Sequence, residues 1–168
     1  MAVHKHKEQA PEKVRCKVVT VSDTRTEETD KSGKLIRRLL EEFGHVTVDY
    51  EIVIDQQEAI REAVVSGCSR KDIDAVLLNG GTGIAKRDVT YEVVESLLEK
   101  EIPGFGELFR MLSYTEDIGS AAILSRAIAG TVFDTAVFSM PGSSGAVKLA
   151  MNKLILPEIG HVVAELHK

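Results

Sequence analysis

Three times in succession, a short run of β-branched or apolar residues leads into a segment with helical periodicity. The runs are Lys17–Val21, Val46–Ile54 and Asp74–Leu78, and an amphipathic segment follows each of them. Such alternation favours a parallel sheet covered by helices on both faces. Later in the chain, Thr131–Phe133 and Thr135–Phe138 have the pattern of a hairpin, which adds one antiparallel member. The sequence therefore predicts a three-layer α/β/α domain with a mostly parallel sheet.

Size and charge narrow the functional classes. A chain of 168 residues fits one domain, for which we expect residues 14–168 to form the domain and residues 1–13 a flexible tail. The formal net charge of −5 argues against a nucleic-acid or anionic-membrane partner, because both need a broad positive surface. No apolar run is long enough to span a membrane, and 2 cysteines without metal-type spacing favour a reducing cytoplasm.

The stretch Leu77–Tyr91 carries the densest chemical signal. It joins an apolar run to a helical pattern through Gly80–Gly83, which we call the glycine loop. Glycine lets backbone N–H groups approach a ligand, and a helix N-terminus presents further donors to an anion. Lys86 and Arg87 add positive charge, so the stretch suits a phosphate. A tight strand-to-helix turn with ordinary surface charges is the alternative.

Asp88 does not fit a plain phosphate site, because a carboxylate repels a phosphate bound beside it. Its position becomes intelligible if a divalent cation lies between the two groups, or if the carboxylate acts in the reaction. Asp88 is therefore a candidate catalytic or metal-binding residue.

Polar residues also follow the first two predicted strands. Ser22 and Asp23 come directly after Val21, and Asp55 comes directly after Ile54. In an open α/β sheet, ligands bind in the crevice outside such strand ends, so these side chains are candidates for a shared site. The alternatives are turn hydrogen bonds for Ser22 and Asp23, and a helix N-cap for Asp55.

Two further segments could contact an anion. Arg126 follows a run of small and apolar residues, where its charge needs a partner, either an acid or a substrate phosphate. Ser143–Gly145 begins a long helical pattern and repeats the anion-site features of the glycine loop, and a helix cap is the alternative. The small residues of Gly119–Gly130 also predict a close-packed surface for self-association.

Taken in order along the chain, several motifs resemble the MoaB/Mog family of molybdenum-cofactor biosynthesis proteins. The resemblance extends from about Lys13 to the C-terminus, and the region around Met140 is more similar to the MoaB branch than to the Mog branch. The motifs are Val21–Arg25, Asn79–Gly83, Arg87–Thr90, Pro103–Glu107, Leu124–Arg126 and Met140–Ser143.

This resemblance implies a compact α/β/α domain that forms trimers or hexamers, and molybdopterin adenylylation as the activity. The family transfers AMP from Mg-ATP to the terminal phosphate of molybdopterin and releases pyrophosphate. The implied cofactor is Mg²⁺, the implied substrates are ATP and molybdopterin, and other proteins of the pathway are candidate partners. A non-catalytic molybdopterin-binding or carrier protein is the main alternative. A generic nucleotide-binding protein is a weaker one, because the sequence has neither a P-loop nor a dinucleotide fingerprint.

The resemblance also assigns residues. Asp88 matches the catalytically required acid after the glycine loop and is the candidate Mg²⁺ ligand, and Asp55 occupies the place of the second important acid. The glycine loop matches the nucleotide-phosphate loop, and Ser143 matches a region that holds the pterin phosphate. The expected ligand contacts are Ser22, Asp23, Gly80, Gly81, Thr82, Gly83, Arg87, Ser125, Arg126, Pro141, Gly142, Ser143 and Ser144.

Overall fold

The computed structural model describes residues 3–4 and 10–168, and within them six strands form one sheet in the order β2-β1-β3-β6-β5-β4. Strands β2, β1, β3 and β6 run parallel, whereas β5 runs antiparallel to both β6 and β4. The mostly parallel sheet with one antiparallel member is therefore confirmed. The strands are β1 Arg15–Val21, β2 Val46–Val53, β3 Ala75–Asn79, β4 Lys100–Glu101, β5 Ile128–Val132 and β6 Thr135–Met140.

Helices cover both faces of the sheet. One apolar cluster joins the sheet to α1, α4, α5 and α6, and a second joins its other face to α2 and α3, so the three layers are confirmed. No helix among the described residues is both long and apolar enough to cross a membrane. In residues 10–168 the α-helices are α1 Lys31–Glu42, α2 Gln57–Cys68, α3 Thr90–Leu97, α4 Pro103–Glu116, α5 Ser144–Ala150 and α6 Leu156–Leu166, with a 3₁₀ helix at Gly119–Leu124.

The sequence predicts a helix with Thr29 or Asp30 as its N-cap and Gly44 just beyond its end, and α1 has these bounds. Its N-cap is Asp30, whose side chain accepts a hydrogen bond from the Gly33 N–H, and Gly44 adopts a φ of +82° just beyond its end. The leucine and isoleucine side chains of the helix lie on one face and are buried in the first apolar cluster.

The structure corrects the bounds of several elements. β5 begins at Ile128 rather than Thr131, because the hairpin strands extend further from their turn than predicted. The break at Pro103 and Gly104 predicts that a helix begins around Phe105 or Gly106, but α4 begins at Pro103, since a proline is tolerated in the first turn of a helix. The two-residue strand β4 was not predicted, because so short a strand leaves no periodicity in the sequence.

The small-residue segment Gly119–Gly130 divides between surface and core. Its first half is the 3₁₀ helix, where Ile123 is 85% exposed. Its last residues belong to β5 and are buried. Only the first half can therefore supply the self-association surface that the sequence predicts for the whole segment.

Pro157 predicts a bend or an interruption in the C-terminal helical pattern, and the structure has an irregular turn there. α5 continues through a π-turn at Met151–Ile155 into α6, and the Leu156 N–H donates to the Met151 carbonyl. Pro157 follows immediately and has no N–H to donate. The wider turn therefore accommodates the proline without ending the helix.

The tail predicted for residues 1–13 lies largely outside the described residues. Residues 10–13 are described, and the first of them lie close to α6. A Cβ atom at Gly160 would lie 3.3 Å from both the Ala10 Cβ and the Pro11 carbonyl oxygen. This close approach places Ala10 and Pro11 against the last helix.

Candidate active site

A cleft of about 420 Å³ opens where β1, β2, β3 and β6 end. β1 lies between β2 and β3 in the sheet. The connection after β1 leads to β2 on one side of β1, and the connection after β2 leads to β3 on the other side. Such a change of direction separates the loops at the carboxyl edge and leaves a crevice for a ligand. The cleft is lined by Val21, Ser22, Asp23, Thr24, Arg25, Asp55, Gly80, Gly81, Thr82, Gly83, Arg87, Asp88 and Gly142.

The fold brings together most of the residues that the sequence assigned to the site. The glycine loop meets the two strand-end acids and the first polar loop in a single cleft. Arg25 and Thr24 also line it, although the sequence assigned them no ligand contact. The expected residues that do not line it are Ser125, Arg126, Pro141, Ser143 and Ser144.

The first two residues of the glycine loop must be glycine. Gly80 has a φ of +95°, and a Cβ atom there would lie 2.4 Å from the Val21 carbonyl oxygen. Gly81 has a φ of +67°, and its Cβ would lie 2.2 Å from the Thr90 Oγ1. Both the positive φ and the close contacts exclude a side chain. The loop backbone is therefore packed directly on the end of β1.

Arg126 does not line the cleft but holds the glycine loop through its backbone carbonyl groups. Its Nε donates to the Thr82 carbonyl at 3.0 Å and its Nη2 donates to the Gly83 carbonyl at 2.8 Å. The guanidinium also pairs with Glu92 and lies 4.9 Å from the centre of the Tyr91 ring. Of the two partners that the sequence left open for Arg126, the structure shows the acid.

Asp55 is not the N-cap of α2, so that alternative is wrong. The N-cap is Gln56, and the helix begins at Gln57. The Asp55 N–H is instead held by the Asp23 Oδ1 at 2.8 Å. The Asp55 Oδ1 is buried and accepts no hydrogen bond among the described residues. A buried acceptor without a donor is costly, and a bound cation would remove that cost.

Burial and nearby charges together raise the pKa of Asp55. Burial raises its pKa above the ordinary aspartate value, and the negative charges of Asp88 and Asp23 raise it further. The nearby backbone N–H of Val89 and the charge of Arg87 oppose this shift without cancelling it. Three carboxylates therefore share one cleft at the cost of mutual repulsion, a feature typical of functional sites.

Asp88 lies against the end of the glycine loop. A Cβ atom at Gly83 would lie 2.7 Å from the Asp88 Oδ2, so a side chain at Gly83 would displace the carboxylate. The Asp88 N–H donates to the Ala85 carbonyl at 3.0 Å, which forms the turn that directs the residue back towards the loop. The glycine at position 83 thus makes room for the acid.

The turn after β6 touches the cleft through Gly142 alone. A Cβ atom there would lie 3.1 Å from the Gly80 Cα, so this turn packs closely on the glycine loop. Ser143 is the N-cap of α5, and its Oγ accepts a hydrogen bond from the Ala146 N–H at 3.2 Å. The helix-cap role that the sequence left open for Ser143 is therefore present, and Ser143 and Ser144 are both exposed beside the cleft.

The sequence is similar to a known family over most of its length. Residues 17–161 match the family model described as a probable molybdopterin binding domain. The chain is 67% identical over 168 residues to the molybdenum cofactor biosynthesis protein B of Bacillus anthracis, and the match covers 100% of this chain and 99% of that protein.

Solved structures have the same fold. A crystal structure of a molybdenum cofactor biosynthesis protein B matches with a TM-score of 0.92 and 68% identity, over 95% of this chain and 99% of that one. The tungsten cofactor synthesizing protein MoaB from Pyrococcus furiosus matches with a TM-score of 0.80 and 38% identity, over 95% and 100% of the two chains. The sequence comparisons and the structure comparisons point to the same family as the sequence motifs.

Proposed function

The chain belongs to the molybdenum cofactor biosynthesis proteins that have a probable molybdopterin binding domain, and on that premise we propose that it is a molybdopterin adenylyltransferase. In the proposed reaction, an oxygen of the terminal phosphate of molybdopterin attacks the α-phosphorus of ATP. The bond from that phosphorus to the oxygen that bridges to the β-phosphate breaks. The products are adenylylated molybdopterin and pyrophosphate.

The observation that carries this proposal is the meeting of two acids with unpaired backbone donors. Among the described residues, no acceptor pairs with the N–H groups of Gly81, Thr82 and Gly83. These donors can bind phosphate oxygens. Asp55 and Asp88 line the same cleft, where they would repel a bare phosphate. Donors for an anion beside acids for a cation suit a metal–nucleotide complex better than either ligand alone.

The acids fit Mg²⁺ that is shared with the nucleotide. Mg²⁺ commonly uses one or two carboxylates together with substrate phosphates and water. Asp55 and Asp88 would hold the ion, which when bound would neutralise charge on the phosphates. Within residues 3–4 and 10–168, no group of three or more His, Cys, Asp or Glu side chains is arranged to hold a metal ion. We therefore expect tight metal binding only together with the nucleotide.

The protein contributes mainly position and charge. Two anionic substrates must approach each other, and no protein nucleophile is required. The glycine loop would bind the phosphates of ATP, and Arg126 would keep that loop in shape through its carbonyl groups. Arg87 would offset negative charge at the cleft. The turn at Pro141, Gly142, Ser143 and Ser144 would hold the phosphate of the pterin.

The proposal is tested by incubating the purified protein with molybdopterin and Mg-ATP and measuring pyrophosphate. We expect pyrophosphate release that requires all three components. Omission of molybdopterin controls for simple ATP hydrolysis, and replacement of Mg²⁺ by EDTA controls for the metal. Binding of molybdopterin without any pyrophosphate release would instead identify a carrier protein, which is the alternative function.

Replacement of Ser143 by aspartate tests where the pterin phosphate binds. We expect molybdopterin affinity to fall by about tenfold or more, because an aspartate repels the phosphate, while ATP affinity stays within about twofold. Aspartate remains a good N-cap, so α5 should persist. Calorimetric titration of each ligand separately measures the effect. Unchanged affinity for both ligands would leave Ser143 as a helix cap only.

We also propose that the protein is a trimer or a hexamer. A stripe of exposed apolar side chains on α4 continues onto the segment that follows it, and such patches commonly mark interfaces. We call it the α4 surface, and it consists of Leu108, Met111, Tyr114, Ile118 and Ile123.

Sedimentation at micromolar concentration should therefore give the mass of three chains or a multiple of it. Ile123→Glu should weaken the assembly, because it places a charge on the proposed apolar contact. Phe43→Glu is the matched control, since Phe43 is 54% exposed but lies outside the α4 surface. A monomeric wild-type protein would contradict the proposal.

A further inference from the structure

Arg25 lies in the cleft and is held there by two other parts of the chain. Its Nη1 donates to the Ser32 Oγ at 3.1 Å, and its Nη2 donates to the Gly142 carbonyl at 3.3 Å. The Ser32 hydroxyl donates to the same carbonyl. The guanidinium is thus fixed between the first turn of α1 and the turn after β6. Its side chain is 34% exposed, so a ligand in the cleft can reach it.

A buried carboxylate lies behind Arg25. Asp30 is 0% exposed, and its Oδ1 lies 3.6 Å from the Arg25 Nη1. Three donors hold this carboxylate in place: the hydroxyls of Thr20 and Tyr50 and the N–H of Gly33. Asp30 therefore does more than cap α1, since it also ties β1, β2 and the loop after β1 to one point.

Asp30 is ionised at neutral pH. Burial alone would raise its pKa, but the hydrogen bonds from Tyr50, Thr20 and Gly33 and the charge of Arg25 lower it more. The net pKa lies below the ordinary aspartate value. Many donors to one carboxylate have this effect because they stabilise its charged form. A fixed negative charge therefore lies next to the Arg25 guanidinium.

The charges that line the cleft indicate that Arg25 does more than hold neighbouring loops together. Asp23, Asp55 and Asp88 outnumber the two arginines of the lining, Arg25 and Arg87. Arg87 is exposed, whereas Arg25 is anchored by side-chain and backbone acceptors. A guanidinium has five N–H donors, and the contacts of Arg25 use only some of them. The rest remain for a ligand, and a pre-oriented guanidinium suits a phosphate.

We propose that Arg25 binds the phosphate of the pterin beside Gly142 and that Asp30 is a positioning residue that holds Arg25 for this contact. The identity of the ligand rests on the proposed function, whereas the role of Arg25 in binding a phosphate rests on the geometry. The alternative is a purely structural network that only joins the loop after β1, the first turn of α1 and the turn after β6. Loss of Arg25 would then change stability and leave ligand affinity unchanged.

Calorimetric titration of Arg25→Ala with molybdopterin, and separately with Mg-ATP, tests the contact. We expect molybdopterin affinity to fall about tenfold to a hundredfold, as for the loss of a charge-assisted hydrogen bond, and Mg-ATP affinity to change little. Arg25→Lys should recover part of the affinity, because it keeps the charge but not the planar fork. Arg38→Ala is the matched control, since it removes the same charge from an exposed position on α1.

Unchanged molybdopterin affinity in Arg25→Ala would overturn the proposal, whether or not the wild-type protein releases pyrophosphate. A loss confined to Mg-ATP would also overturn it, because the arginine would then bind the nucleotide. If Arg25→Ala loses molybdopterin affinity while the wild-type protein shows no turnover, the contact is supported and only the adenylyl-transfer function fails. The two hypotheses are therefore separated by one set of measurements.

A double-mutant cycle tests the positioning role of Asp30. We expect Asp30→Asn to weaken molybdopterin binding in the wild-type protein but not in Arg25→Ala, because it acts through the arginine. An equal loss in both backgrounds would overturn the role. If thermal melting shows that Asp30→Asn does not fold, Ser32→Ala provides the same cycle, since it removes another anchor of the same guanidinium. Additive effects of Ser32→Ala and Arg25→Ala would overturn the positioning of Arg25 in the same way.

Discussion

Replacing Asp88 by asparagine should lower pyrophosphate release by about a hundredfold to a thousandfold, the usual loss when one electrostatic contact to a transition state is removed. Asparagine has nearly the shape of aspartate, so it should fit the space that Gly83 leaves for the side chain. The variant should therefore keep the wild-type fold and melting temperature. What it loses is the negative charge that we propose holds Mg²⁺ against the nucleotide phosphates.

The dependence of pyrophosphate release on Mg²⁺ gives a second test of the role of Asp88. We expect the Mg²⁺ concentration for half-maximal activity to rise in Asp88→Asn, because one carboxylate ligand is missing. Asp134→Asn is the matched control, since it makes the same chemical change in the β5–β6 turn, at the opposite end of β6 from the cleft. A variant of Asp88 with full activity and unchanged Mg²⁺ dependence would show that the acid has no catalytic role.

Local patterns predicted the features of this protein that depend on neighbouring residues in sequence. The strand–helix alternation gives the layers, because periodicity reports which face of each element is buried. The acids Asp55 and Asp88 meet because parallel strands place their carboxyl ends at one edge of a sheet. The glycine loop was recognisable from its sequence, because three glycines among four residues between a strand and a helix leave the backbone N–H groups accessible.

Features that depend on distant residues could not be predicted in this way. Lys17 was assigned to a strand, but nothing local indicates that it is 1% exposed, with its Nζ donating to the Ala63 carbonyl and paired with Glu51. Arg126 contacts a loop 44 residues away in sequence, so only the folded chain shows that it supports the loop backbone. Arg25 follows the polar residues of the first strand end and closes the Val21–Arg25 motif, and these two signals could have identified it.

The pKa of Asp55 leads to a prediction that separates a functional acid from a structural one. Its folded pKa is raised, first by burial and then by Asp88 and Asp23, so its ionised form costs stability in the folded protein. That cost is absent below the unfolded pKa of about 3.9, where the residue is protonated in both states. It grows as the pH rises through the raised folded pKa and is then constant. At neutral pH, Asp55 therefore destabilises the fold.

Replacement of Asp55 by asparagine should consequently raise the melting temperature at pH 7 while lowering adenylyl transfer by about a hundredfold. The gain in melting temperature should shrink as the pH falls towards about 4, because wild-type Asp55 then becomes neutral as well. Addition of Mg-ATP should stabilise the wild-type protein more than the variant, since the nucleotide-bound metal loses one ligand. Thermal melts over this pH range, together with the pyrophosphate assay, measure both effects.

Asp72→Asn is the control of opposite sign, because hydrogen bonding to Arg70 lowers the pKa of Asp72. It should leave adenylyl transfer unchanged and should not raise the melting temperature. A purely structural Asp55 would behave differently, because loss of a stabilising contact worth about 1 kcal/mol would lower the melting temperature by about 2–4 °C. A fall in melting temperature with full activity in Asp55→Asn would therefore refute its role in the cleft. A rise in stability together with a loss of activity would show that the cost of a buried, charged Asp55 beside Asp88 and Asp23 is retained because the reaction needs it.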